Sequence, residues 1–144
     1  MTHSCVEVYL HVIFATKNKQ PLIPSDIEKR LYAYIGGIAN KRKCIILSIN
    51  GTEDHLHMLV NLHQDAPIST LLKEMKSYST GWMKKQNYSQ FSWQQGYGGF
   101  SYSKSQLQTV SRYIEKQKEH HKKYTFDDEL KKLKNLWGVD WQTD

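Results

Sequence analysis

The stretch Glu53-Asp54-His55-Leu56-His57-Met58-Leu59-Val60 decides how the rest of the chain is read. It sets two imidazoles two residues apart inside an otherwise apolar run. Side chains on a strand alternate between faces, so His55 and His57 point the same way, about 6–7 Å apart along the chain, while Leu56, Met58 and Val60 face the opposite side. Such a pair can converge on one metal ion or one phosphate from a rigid element. Two polar residues on the open face of a half-buried strand would produce the same pattern, so a second constellation is needed to choose.

Immediately upstream, Cys44 to Ile49 is a short apolar strand, and Asn50-Gly51 is a hairpin-turn dipeptide leading into the histidine strand. The two strands are therefore expected to be antiparallel neighbours. From Cys5 to Thr16 the chain alternates again, with Val6, Val8, Leu10, Val12 and Phe14 on one face and Tyr9, His11 and Ile13 on the other. Lys17-Asn18-Lys19-Gln20-Pro21 breaks that strand. Ile27, Leu31, Tyr34, Ile35 and Ile38 then follow at helical spacing from a start near Pro24-Ser25-Asp26 to about Asn40, and the basic run Lys41-Arg42-Lys43 suits a helix C-terminus.

Downstream of Pro67, an apolar stripe of Ile68, Leu71, Leu72, Met75, Tyr78 and Trp82 predicts a second long helix. Phe91 to Phe100 reads as a polar, aromatic loop, with a short strand near Tyr97 to Tyr102. Ser103 and Ser105, each with a Gln three residues on, offer alternative capping boxes for a third helix that carries Leu107, Val110, Tyr113, Ile114 and Gln117 and ends near His121. A last amphipathic helix runs from about Phe126 to Leu136. The order β-α-β-β-α-β is the split βαβ arrangement of ferredoxin-like α+β folds: an antiparallel sheet with helices on one face, followed here by two C-terminal helices. Its first and third strands are adjacent and central, so His11 would lie beside His55 or His57 if the register puts them on the same face.

At 144 residues the chain is expected to form one domain over 1–144. Twenty Lys+Arg against fourteen Asp+Glu give a formal net charge of +6, which favours a polyanionic partner. Hydrophobic residues at 39% and charged residues at 24% fit an ordinary globular protein and exclude a disordered chain. The two cysteines, Cys5 and Cys44, form no metal or disulfide pattern and are expected to be reduced and buried in a cytoplasmic protein. The apolar run from Val6 to Ala15 is interrupted by Glu7 and His11, so neither a signal peptide nor a membrane span is expected.

The second constellation is Tyr113-Ile114-Glu115-Lys116-Gln117. Helix positions four apart share a face, about 6 Å apart along the axis, so the Tyr113 phenol and the Gln117 amide project together. Two imidazoles and one amide oxygen make a three-ligand site of neutral groups, which leaves a divalent ion its full charge and open positions. Nitrogen and oxygen ligands without thiolate point to Mg²⁺ or Mn²⁺, with Zn²⁺, Ni²⁺ or Co²⁺ able to bind as well. Next to it, Tyr113 is the candidate nucleophile for a phosphate ester. His11, His120 and His121 are candidates for supporting positions around these groups. Lys17, Lys19, Arg42, Lys73 and Lys76 are candidates for phosphate contacts, and Tyr97 and Phe100 for stacking on unpaired bases.

With these residues in view, the chain resembles the single-tyrosine HUH transposases of the insertion-sequence 200/605 group and their REP-associated relatives over nearly its whole length. The resemblance rests on His11-Val12-Ile13-Phe14-Ala15-Thr16-Lys17-Asn18, Asp54-His55-Leu56-His57, Leu71-Leu72-Lys73-Glu74-Met75-Lys76-Ser77, the run from Trp93 to Ser101, and Tyr113-Ile114-Glu115-Lys116-Gln117, in that order. It implies a DNA transposase that cleaves and rejoins single-stranded DNA through a covalent phosphotyrosine. His55, His57 and Gln117 would then bind the metal and Tyr113 would be the nucleophile. It also implies hairpin-forming DNA as partner and a homodimer whose catalytic helix can dock against the other copy's histidines. A non-catalytic nucleic-acid-binding module and a plain metal-binding or dimeric interaction protein are the rival readings.

Overall fold

The computed structural model describes residues 3–142. In chain order the elements are β1 (Val8–Ala15), α1 (Glu28–Lys41), β2 (Ile45–Gly51), β3 (His55–Leu62), α2 (Ile68–Lys85), β4 (Gly98–Tyr102), α3 (Leu107–Glu115), α4 (Gln117–His120) and α5 (Phe126–Trp137), with short 3-10 turns at Lys17–Lys19 and Lys104–Gln106. The sheet order is β2-β3-β1-β4 and every pairing is antiparallel. This is the ferredoxin-like α+β topology expected from the element order, with β1 and β3 in the middle. None of the described helices is long and apolar enough to cross a membrane.

Alternation along the two central strands divides the core. Val12 and Phe14 of β1 and Leu56, Met58 and Val60 of β3 face α1 and α2, where they pack with Leu31, Ile35, Leu71, Leu72 and Met75. Each such side chain, fully withdrawn from water, contributes roughly 1.5–3 kcal/mol. Trp93 closes this layer, with its ring edge-on to Phe14 and its indole N–H donating to Ser79 Oγ at 2.9 Å. On the opposite face, Ile13, Ala15 and Phe100 pack against Phe126, Leu130 and Leu133 of α5, and Tyr9 and Leu59 against Val110 and Ile114 of α3. The sheet is therefore covered on both sides: α1 and α2 take one face, as expected, and the C-terminal helices take the other.

Register places the histidines on that second face. His11 pairs with Leu59, Ile13 with His57 and Ala15 with His55, and residues directly opposite in an antiparallel pair share a face. Three details differ from the sequence-based expectation. Cys5 is exposed and lies before β1, because pairing with β3 begins only at Val8; Cys44 is buried as expected. Asn50 and Gly51 are the last residues of β2, paired with His57 and Leu56, and the turn falls on Thr52 to Asp54. There the Thr52 hydroxyl donates to Asp54 Oδ1 at 2.8 Å and its N–H to the His55 carbonyl at 3.0 Å, while the Asn50 amide is spent on the Glu115 carbonyl. Finally, the third helix is not continuous. It breaks at Lys116 (φ −95, ψ 14) between α3 and α4.

Candidate active site

The groups singled out in the sequence meet on the second sheet face, in a single chain. His55, His57 and Gln117 are fully buried, and Tyr113 is half-buried beside them. His55 Nε2 lies 3.1 Å from Gln117 Oε1. The point on which they converge is a residue that sequence reasoning missed: Glu129 of α5, buried at 1% exposure. Its Oε1 lies 3.0 Å from His57 Nε2, 3.1 Å from His121 Nε2 and 3.5 Å from His55 Nε2. Its Oε2 accepts from Gln117 Nε2 at 2.8 Å and from the Tyr113 hydroxyl. The break at Lys116 does not separate Tyr113 from Gln117, since both side chains reach the same carboxylate.

Each imidazole is oriented by a partner on its far nitrogen. His55 Nδ1 pairs with Asp54 Oδ1 at 2.7 Å, and Phe126 stacks on the ring with centroids 3.9 Å apart. His57 Nδ1 pairs with His11 Nε2 at 2.7 Å, so His11 supports His57 from β1. His121 Nδ1 donates to the Tyr124 carbonyl at 3.1 Å. His120 packs against Tyr113 with centroids 5.0 Å apart, and its buried Nδ1 has no hydrogen-bond partner among the described residues.

Burial and neighbours set the charges. Burial, reinforced by the nearby His57, lowers His11 to about 3, and burial lowers His57 to about 4, so both rings are neutral at pH 7. Burial also opposes charge on His55, but its hydrogen bonds to Asp54 and Glu129 outweigh that and raise its pKa. For Glu129 burial favours the neutral acid, yet hydrogen bonds from His121, His55 and His57 hold it well below the usual carboxylate range. Burial and then Glu129 push the Tyr113 phenol above its ordinary value.

This donor set fits a divalent cation. With Nδ1 of His55 and His121 committed as donors, their Nε2 lone pairs, when neutral, face oxygen lone pairs on Gln117 and Glu129. Such a surplus of acceptors is relieved by extra protons or by a cation. Among the described residues, His55, His121 and Glu129 offer ligand atoms that all lie within 4.8 Å of one another.

The candidates for DNA contact are scattered. Lys17 and Lys73 are exposed. Lys19 pairs with Asp127 at 2.5 Å, and Arg42 holds both carboxylate oxygens of Glu74. Lys76 donates to the carbonyls of Gln94 and Gly96 and thereby fastens the loop before β4; partial burial lowers its pKa to about 8. Phe100 sits in the core against Trp137, and Tyr97 is half-buried at the edge of the α1–α2 layer. A cavity of about 210 Å³ between the Gln94–Tyr97 loop, Phe126 and Trp141 opens beside the site.

The family model described as IS200-like transposase matches residues 4–117. The chain belongs to that family. The match spans both histidines, Tyr113 and Gln117 and stops short of His121 and Glu129. Two solved structures share the transposase fold. One is a protein assigned as a transposase from Deinococcus radiodurans R1, with TM-score 0.63, 19% identity, 81% of this chain covered and 95% of the other. The second is a REP-associated tyrosine transposase bound to a REP hairpin, with TM-score 0.66, 16% identity, 100% of this chain covered and 91% of the other. No match is found among curated proteins.

Proposed function

We propose that this transposase nicks and rejoins single-stranded, hairpin-forming DNA through a covalent bond between Tyr113 and a strand-end phosphate, with Mg²⁺ or Mn²⁺ held by His55, His57 and Gln117. The observation that carries this reading is the convergence of the Tyr113 hydroxyl, two imidazole nitrogens and the Gln117 amide on one buried point of a single chain. The second copy of a homodimer would not be needed to complete the site, because the catalytic helix docks on its own chain's histidines.

In the forward step the Tyr113 oxygen attacks phosphorus, the new O–P bond forms as the bond to the neighbouring nucleotide's oxygen breaks, and that oxygen leaves as a strand-end hydroxyl after taking a proton. The Tyr113 hydroxyl donates to Glu129 Oε2, which orients the phenolic oxygen, and its proton passes to solvent as the O–P bond forms. In the joining step a strand-end hydroxyl attacks the phosphotyrosine and the phenol is restored, so the energy of the broken ester is conserved. A bound divalent cation would polarise the scissile phosphate and stabilise charge gathering on its oxygens. Asp54 and His11 hold the rings of His55 and His57 with their inner nitrogens toward Glu129, where the cation would sit. The formal charge of +6 and the exposed Lys17 and Lys73 favour a polyanionic substrate, and a solved structure of the same fold is bound to a REP hairpin.

The test is incubation with labelled single-stranded hairpin oligonucleotides and Mn²⁺, read on a denaturing gel. A covalent protein–DNA species is expected that disappears with Tyr113→Phe and with chelator. An adduct formed equally well by Tyr113→Phe, or a manganese-soaked crystal with the ion away from His55 and His57, would overturn the assignment.

A further inference from the structure

We infer that Glu129 and His121, both beyond the family-matched stretch, are ligands of the same cation, so that the site is a charged five-donor cage rather than three neutral groups. The inference rests on the metal-dependent reading above and extends its donor set.

Three observations carry it. The first is proximity: His121 Nε2 lies 3.0 Å from Gln117 Oε1 and 3.1 Å from Glu129 Oε1, and His57 Nε2 and His55 Nε2 lie 3.0 and 3.5 Å from the same Glu129 oxygen. His55, His121 and Glu129 thus offer ligand atoms within 4.8 Å of one another, Gln117 Oε1 lies against both of those rings, and His57 joins the group through the shared Glu129 oxygen. The second is charge. A carboxylate at 1% exposure is costly to bury unpaired, and among the described residues the ion pairs of Glu129 are all with histidines, none with Lys or Arg. The third is orientation. The far nitrogen of every imidazole in the cluster has its own partner: Asp54 for His55, His11 for His57 and the Tyr124 carbonyl for His121. Metal-bound histidines are held in this way, because the outer hydrogen bond fixes the ring and frees the inner lone pair.

The added carboxylate changes what the site does. It lends the cage a negative charge, which strengthens cation capture. Because Glu129 Oε2 also accepts from the Tyr113 hydroxyl, it fixes the nucleophile relative to the cation through one rigid residue. His57 serves as a ligand only with its proton on Nδ1, where it would donate to His11 Nε2, so cation capture sets the tautomers of both rings.

Mn²⁺ binding to the purified protein without DNA tests this, with free Mn²⁺ followed by electron paramagnetic resonance and heat by calorimetry. Wild type, Glu129→Gln, His121→Ala and His57→Ala are compared, with melting curves to verify folding. Glu129→Gln and His121→Ala are each expected to weaken Mn²⁺ affinity tenfold or more and to shrink the Mn²⁺-induced rise in melting temperature. His121→Ala, at the surface end of the cluster, carries the test if Glu129→Gln does not fold. Affinity lost in His57→Ala but unchanged in the folded Glu129 or His121 variants would overturn this inference and leave the three-ligand site standing. Wild-type protein that binds no Mn²⁺ would remove the metal-dependent reading itself, and this inference with it.

Discussion

Acidifying the metal-free protein should weaken it through His11 and His57. Burial holds both rings neutral, with pKa values of about 3 and about 4 against an ordinary 6.5. In the unfolded chain each ring takes a proton as the pH falls through about 6.5, whereas in the folded chain neither does until near pH 4. Their contribution to stability is therefore present above pH 6.5 and is lost on acidification between 6.5 and 4. Each ring forfeits about 1.4 kcal/mol per pH unit, so going from pH 6.5 to 5 removes about 2 kcal/mol per ring and about 4 kcal/mol in all. Against a domain stability of roughly 5–15 kcal/mol that is a large share. His55 acts in the opposite sense. Its raised pKa gives stability that is complete below the unfolded value and is lost as the pH rises through the folded one, which offsets part of the loss near neutrality. Glu129, held low, stays ionised throughout the window. Denaturant titrations from pH 7 to 4.5 in excess chelator, on wild type and His11→Phe, would measure the effect. The variant should show a slope shallower by about 1.4 kcal/mol per pH unit. Equal slopes, or imidazole resonances of His11 and His57 that titrate above pH 6 in the folded protein, would refute the reasoning.

Two further outcomes follow from the same geometry. Asp54→Asn removes the carboxylate that accepts from His55 Nδ1, so Mn²⁺ affinity measured by calorimetry should fall about 10–100-fold; an unchanged affinity would mean that Asp54 does not orient the ring. Gly51→Ala would place a Cβ 2.1 Å from the His55 carbonyl oxygen and 2.7 Å from Leu56 Cα, backbone atoms that cannot swing aside, so thermal melting should show a loss of about 1–3 kcal/mol or more. A wild-type melting temperature would show that the hairpin yields more easily than its packing indicates.

Much of this was legible in the chain. Period-two alternation in β1 and β3, helical stripes in α1 and α2 and the glycine-aromatic segment before β4 are local patterns, and each became the element expected. His55, His57, Tyr113 and Gln117 could be paired because both spacings, two on a strand and four on a helix, are short enough to fix a common direction. Glu129 could not be paired that way. It lies twelve residues beyond Gln117, across a turn and on another helix, and only the tertiary fold brings it to His57. A weak signal was present: Glu129 sits between Phe126 and Leu133 on the face of α5 that also carries Leu130, and an acidic residue inside an apolar stripe needs a partner. The displaced hairpin turn has a similar cause. Asn50-Gly51 suits a two-residue turn in isolation, but Thr52 and Asp54 make a turn of their own, and Asn50 is claimed by Glu115, sixty-five residues away.

One helix therefore serves two masters. Phe126, Leu130 and Leu133 shield a sheet face that residues 4–117 alone leave partly bare, and Glu129, on the same two turns, reaches the Tyr113 hydroxyl. A shortened protein ending near Gln117 would expose Ile13 and Phe100 and shed the carboxylate at a single stroke. Silence from such a truncation would speak to folding and to chemistry at once, which makes a point substitution at Glu129, leaving the apolar residues of α5 in place, the sounder way to dissect this enzyme.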